Sequence, residues 1–167
     1  MLLWVGVGLV LLAVGLLGVL HRRDLGRLAA GWDALARSLT LGFDPASRSI
    51  HGRYRLLRVE LTAERTLLGL GPWRTRISAG YEGVVPEGLD LRLVRDRIRA
   101  SARDPAALDR WLDGHRRREL LPGLLRGGVQ VLGHEARLEM DGLLSDAEIL
   151  RGILARLADL ARLLSQR

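Results

Sequence analysis

The sequence predicts an α+β domain, an antiparallel sheet of about six short strands covered by helices, behind an N-terminal transmembrane helix and closing on a long C-terminal helix. Three observations carry that expectation. Residues 2–20 hold no charged side chain. The hydrophobic period then passes from 3.6 residues to 2 and back again. Finally, residues 149–164 form the clearest apolar stripe in the chain. The order helix, four strands, helices, two strands, long helix suits a sheet with helices on one face.

The N-terminal run comes first. Leu2 to Leu20 comprise eight Leu, five Val, four Gly, one Trp and one Ala. At about 1.5 Å rise per residue the run spans roughly 28 Å, close to the ~30 Å hydrocarbon core of a bilayer. Its Leu and Val side chains contribute on the order of −4 to −8 kcal/mol to insertion. A cleaved signal peptide fits less well, because nothing basic precedes the run and His21-Arg22-Arg23 follows it. A buried helix apolar on all sides would need more protein around it than one domain of this size supplies. Residues 1–23 are therefore expected to be the anchor and its basic flank, and residues 24–167 the soluble domain. Arg22, Arg23 and Arg27 follow the run while only the α-amine precedes it, so the positive-inside rule puts the domain in the cytoplasm. Trp4 and these three arginines are the expected membrane-interface residues.

Leu25, Leu28, Ala29, Trp32, Leu35, Ala36 and Leu39 then recur at helical spacing, predicting a helix from about Asp24 to Leu39 that ends at Gly42 and the Asp44-Pro45 turn. From Ile50 the period is two. Ile50, Gly52, Tyr54 and Leu56 alternate with polar residues, then Leu57, Val59, Leu61 and Ala63 do so one residue out of phase, as a tight turn or bulge at Leu56-Leu57 would produce. Thr75, Ile77, Ala79 and Tyr81 give a third strand, and Leu89, Leu91 and Leu93 a fourth. Leu108, Trp111, Leu112, Leu120, Leu121, Leu124 and Leu125 restore helical spacing, with Pro122 expected to break or kink the second helix. Val129-Gln130-Val131 turns at Gly133-His134 into Ala136, Leu138 and Met140, a short hairpin. Ser145 and Glu148 are placed as a capping box before the closing helix.

Composition excludes several chemistries. There is no Cys, hence no disulfide, thiolate metal site or cysteine nucleophile. All 26 basic residues are Arg, so a Walker A lysine, a Schiff-base amine and a kinase lysine are excluded together. His21, His51, His115 and His134 lack metal-site spacing and read as surface histidines, so no metal and no cofactor are expected. Ser78 carries only half a nucleophile-elbow pattern and lies in a strand. Asp104, Asp109 and Asp113 have arginines close by and read as surface ion pairs rather than acid/base groups. Gly69-Leu70-Gly71-Pro72 reads as a hairpin loop, since its proline removes a backbone donor that a phosphate would need.

Gly52-Arg53-Tyr54 with Val59-Glu60-Leu61, Asp104-Pro105 with Leu108-Asp109, and Gly142-Leu143-Leu144 before the last helix give the chain its one family likeness. On these motifs it resembles a loose group of uncharacterised, membrane-anchored bacterial proteins, across most of the soluble part. Similar proteins tend to carry Gly-Asp and Phe-Asp in the middle motif, where Arg103 and Leu108 stand here. The resemblance implies a single-pass topology at a bacterial inner membrane and implies nothing about chemistry.

One charge feature has weight. Between Arg92 and Arg118 nine Arg face Asp96, Asp104, Asp109 and Asp113, a local net of +5 in a chain of net +7. Near an anionic leaflet each basic residue is worth about 1 kcal/mol, and Arg116, Arg117 and Arg118 are the expected contacts. The expected function is a non-enzymatic interaction module, bound to the bilayer through residues 2–20 and to anionic lipid headgroups or a membrane protein partner. The alternative is a tethered domain binding a hydrophobic ligand under the long helix. A pI near 11.3 raises nucleic acid as a partner, but no recognition module or stacking set accompanies it, so nucleic acid is disfavoured.

Overall fold

The structure is a computed structural model that describes residue 26 and residues 28–65 and 71–166, with backbone alone at His115 and Arg116. The expected anchor over residues 2–20, with Trp4, Arg22, Arg23 and Arg27, lies outside the described residues. Among those described, no helix is long and apolar enough to cross a membrane.

Helix α1 occupies residues 28–38. Its helical-period stripe, Leu28, Trp32, Leu35, Ala36 and Leu39, is buried. The helix stops before Gly42, not at it. Thr40 takes a left-handed conformation (φ 58), its N–H donates to Arg37 O (3.2 Å), and the N–H of Leu41 donates to Ala36 O (2.9 Å). These two bonds satisfy carbonyls the last turn leaves open, a Schellman closure built on Thr instead of Gly. The early stop frees Gly42–Asp44 to become β1.

The remaining strands are β2 (Ser49–Tyr54), β3 (Leu57–Arg65), β4 (Trp73–Gly80), β5 (Asp90–Val94), β6 (Arg97–Ser101), β7 (Gln130–Leu132) and β8 (Glu135–Asp141). They form one antiparallel sheet in the order β1-β2-β3-β4-β8-β7-β5-β6. The expected phase slip is the β2–β3 hairpin, where Tyr54 pairs with Leu57 around Arg55 and Leu56. Eight strands among the described residues replace the expected six or so; β1 and β6 are the additions.

Alternation assigns the two faces. Val59, Ala79, Ala136, Val131 and Leu91 lie in register across five strands, with Leu61, Ile77 and Leu138 one step along, and all are buried. This face joins the buried residues of α1, of α3 (His115–Leu125) and of α4 (Ala147–Ser165) in one core. The opposite face carries Arg58, Glu60, Arg74, Arg76, Arg137 and Glu139, a solvated surface as in other one-sided antiparallel sheets.

Two local expectations change. Asp146, not Ser145, caps α4: its carboxylate accepts from the N–H groups of Glu148 (2.8 Å) and Ile149 (3.2 Å). A carboxylate at this position suits the helix dipole as well as the orphan donors. Pro122 lies inside α3, which continues to Leu125, so the proline does not end the helix; it leaves the Arg118 carbonyl without its usual i+4 donor.

Candidate functional site: a basic hairpin, its edge groove and a cleft at the sheet mouth

The open face of the central strands neutralises itself. Arg76 pairs with Glu139 (3.0 Å) and Glu64 (3.6 Å), Arg74 with Asp141 (3.5 Å), and Arg137 with Glu135 (3.2 Å). The two hairpins that leave the sheet differ: on β2–β3, Arg53 and Arg58 are exposed cross-strand neighbours without an ion pair among the described residues, and the β5–β6 hairpin concentrates more charge. Arg92, Arg95, Arg97 and Arg99 are all exposed, and none has an ion-pair partner among the described residues. Arg92 and Arg99 are cross-strand neighbours and Val94 pairs with Arg97 across a turn made of Arg95 and Asp96. Three like charges are thus held on one face, with the fourth at the tip. Such an arrangement costs electrostatic energy unless an anion relieves it.

The tip also has a place in the chain's path. The indole of Trp32 in α1 donates to Leu144 O (2.9 Å), just beyond Gly142, whose N–H donates to Trp73 O at the start of β4. Register places Arg92 level with Gln130, Arg137 and Ser78, and the chain then runs on toward that same end of the sheet. The basic turn and the N-terminal half of α1 therefore share one end of the molecule.

Beside the hairpin, along the β6 edge, lies a groove of about 470 Å³. Ile98 and Ala100 form its strand wall, Leu112 of α2 (Pro105–Leu112) and Leu121 of α3 its helical wall, and Asp109 with the Asp113–Arg118 ion pair its rim.

At the other end of the sheet an open cleft of about 460 Å³ separates the β2–β3 hairpin from the last turns of α4. Leu57, Tyr81, Ala158 and Ala161 make its apolar wall, and Arg53, Arg55 and Arg162 stand at its rim. Leu56 at the hairpin tip is 90% exposed. Tyr81 donates to Gly133 O (2.7 Å), and burial pushes its phenol well above the usual tyrosine range. Ser165 donates to Glu82 O (2.5 Å), fixing the end of α4 beside the cleft.

The arginines expected to touch an anionic surface divide. Arg117 donates to Trp111 O (2.8 Å) and to Gln166 O, with its guanidinium 4.7 Å from the Trp111 ring centre, and burial lowers its pKa. It ties α2 to α3 and the end of α4. Arg118 pairs with Asp113, and the side chain of Arg116 lies outside the described set. Arg103 pairs with Glu87 (2.7 Å). The hairpin arginines, with Arg110 of α2, are the members of the cluster without an ion pair among the described residues; net charge over the segment located them, but pairing could not be read from sequence.

Other candidates fall as follows. Asp104 caps α2 through Ala106 N (2.9 Å), and Asp109 is exposed. Ser78 sits on the open face of β4 with Glu60 and Arg137 as its neighbours in register. His51 is exposed on β2, and His134 lies in the β7–β8 turn, its ring 6.0 Å from that of Tyr81. Among the described residues no three side chains are grouped to hold a metal ion. Compared with known proteins, the chain matches no family model, and no curated protein or solved structure is similar to it.

Proposed function

We propose that this chain is a membrane-tethered, non-enzymatic interaction module, held at a bacterial inner membrane with its domain in the cytoplasm, that presents a basic hairpin to an anionic partner. The observation that carries the reading is the set Arg92, Arg95, Arg97 and Arg99, exposed and without ion pairs among the described residues, beside a sheet face whose other charges are largely paired. Its position supports the reading further, since the basic turn lies at the same end of the sheet as the N-terminal half of α1, the element that follows residues 2–20 in the sequence. An anion there meets the protein close to the bilayer.

The test uses the full chain in nanodiscs. In discs of zwitterionic lipid, poly-glutamate should bind in a salt-sensitive way, and the triple variant R92E/R97E/R99E should lose that binding. In discs containing anionic lipid, competition with poly-glutamate would identify headgroups as the anion, and its absence would identify a protein. Equal binding by wild type and triple variant would sink the proposal, as would recovery of the intact chain in the supernatant of cells broken without detergent.

The cleft favours a second reading, a tethered domain that takes a hydrophobic ligand at the sheet mouth, since its volume falls in the range of small-molecule pockets. Native mass spectrometry should then show lipid bound to wild type and absent from Ala161→Trp, which fills the cleft. Identical spectra would end this reading.

A further inference from the structure

The hydrogen-bond parity of the sheet shows what the β6 edge offers. Arg95 and Asp96 both have positive φ (50 and 59), the conformation of a two-residue turn whose flanking pair exchanges both backbone bonds. Val94 and Arg97 are that pair, so Arg99 and Ser101 also bond inward to β5. A second route agrees. Gly133 N–H donates to Leu89 O (2.7 Å), just before β5, which makes Leu91 the next residue to bond to β7 and leaves Asp90, Arg92 and Val94 for β6. Ile98 and Ala100 therefore direct their N–H and C=O groups away from the sheet. No backbone bond to either is found outside the sheet among the described residues.

We infer that the β6 edge accepts an extended segment of a partner protein as a ninth strand, and that the segment alternates apolar with acidic residues. This deepens the interaction-module reading and rests on it. Outward backbone groups of Ile98 and Ala100 supply the ladder. Side chains of the added strand that point toward the helices enter the groove between Ile98, Ala100, Leu112 and Leu121. Those on the other face stand beside Arg97 and Arg99, where a carboxylate is favoured and a cation is not. The same arginines disfavour a second copy, because β6 against β6 would set Arg97 and Arg99 of one chain beside those of the other.

The test follows binding of the fluorescent peptide Glu-Val-Glu-Val-Glu-Val-Glu to the full chain in zwitterionic nanodiscs, with Lys-Val-Lys-Val-Lys-Val-Lys as control. Ala100→Pro removes one outward N–H and leaves the β5 ladder whole, a substitution edge strands tolerate. Saturable binding of the acidic peptide alone is expected, weakened about tenfold or more by Ala100→Pro and likewise by R97E/R99E. Hydrogen exchange at the Ile98 and Ala100 amides should slow on binding, a readout that holds even if the proline variant folds poorly. Unchanged affinity in Ala100→Pro, with loss in R97E/R99E, would overturn strand addition while leaving the basic surface intact. Absence of binding by wild type at millimolar peptide, or a dimer that Ala100→Pro dissolves, would also overturn it.

Discussion

Thr75 is fully buried, yet its hydroxyl is used twice: it donates to Gly142 O (2.9 Å) and accepts from Leu144 N–H (3.0 Å). The Leu144 carbonyl in turn takes the indole of Trp32. One hydroxyl thus satisfies the backbone that leads into α4, which no sheet ladder reaches. Thr75→Val keeps the shape and strands both groups, so a loss of about 1–3 kcal/mol is expected in the urea midpoint at unchanged m. Tyr81 sets a second residue-scale expectation, in pH. Its folded pKa is raised by burial, and the unfolded value is about 10. A raised value means the stability it contributes is complete below about pH 10 and declines as pH rises beyond it toward the folded value. Urea midpoints between neutral pH and about pH 11 should fall for wild type; Tyr81→Phe should start lower, having lost the bond to Gly133 O, but fall less steeply.

Among the elements, α4 offers a clean comparison, because two adjacent residues compete for one cap. Asp146 makes both cap bonds, so Asp146→Ala should cost about 1 kcal/mol, while Ser145→Ala should change thermal stability by less than about 0.5 kcal/mol. The reverse ranking would restore the capping box. Sequence periodicity could place the helix and not its first residue, since Ser-Asp in tandem are both good caps and only backbone geometry separates them. The same division runs through the sheet. β2, β3 and β4 were legible because strong apolar residues alternate over six to nine positions. β6 was not, because its inward residues are only Ile98 and Ala100 and its turn is Arg95-Asp96, with neither Gly nor Asn to announce positive φ. A chain without Asn must put other residues there, and Thr40, Arg48 and Arg55 do the same. β1 was hidden for a simpler reason, being three residues long. The candidate hairpin suffered twice: its net charge was visible, but its strand and the pairing that consumes Arg103, Arg117 and Arg118 were not.

At the scale of the whole molecule, the core settles how far the chain can be shortened from its N-terminal side. Leu28, Trp32, Leu35 and Ala36 of α1 belong to the same buried cluster as the sheet and α4, and Trp32 has no exposed surface. Burying a large apolar side chain is worth roughly 1.5–3 kcal/mol, so removing these residues takes away an amount comparable with the 5–15 kcal/mol that holds a typical domain together. Residues 2–20 lie outside the described residues, and in sequence the charged run from Arg22 to Asp24 stands between them and α1. A chain beginning at residue 24 should therefore stay in solution without detergent and melt in one cooperative transition. A chain beginning at residue 42 should lack that transition and aggregate, with the apolar sheet face uncovered where α1 had packed. Calorimetry and sedimentation of the two chains decide the matter. If the longer one also failed to melt cooperatively, the N-terminal run would be part of the fold, and the proposed boundary near residue 24 would have to be given up.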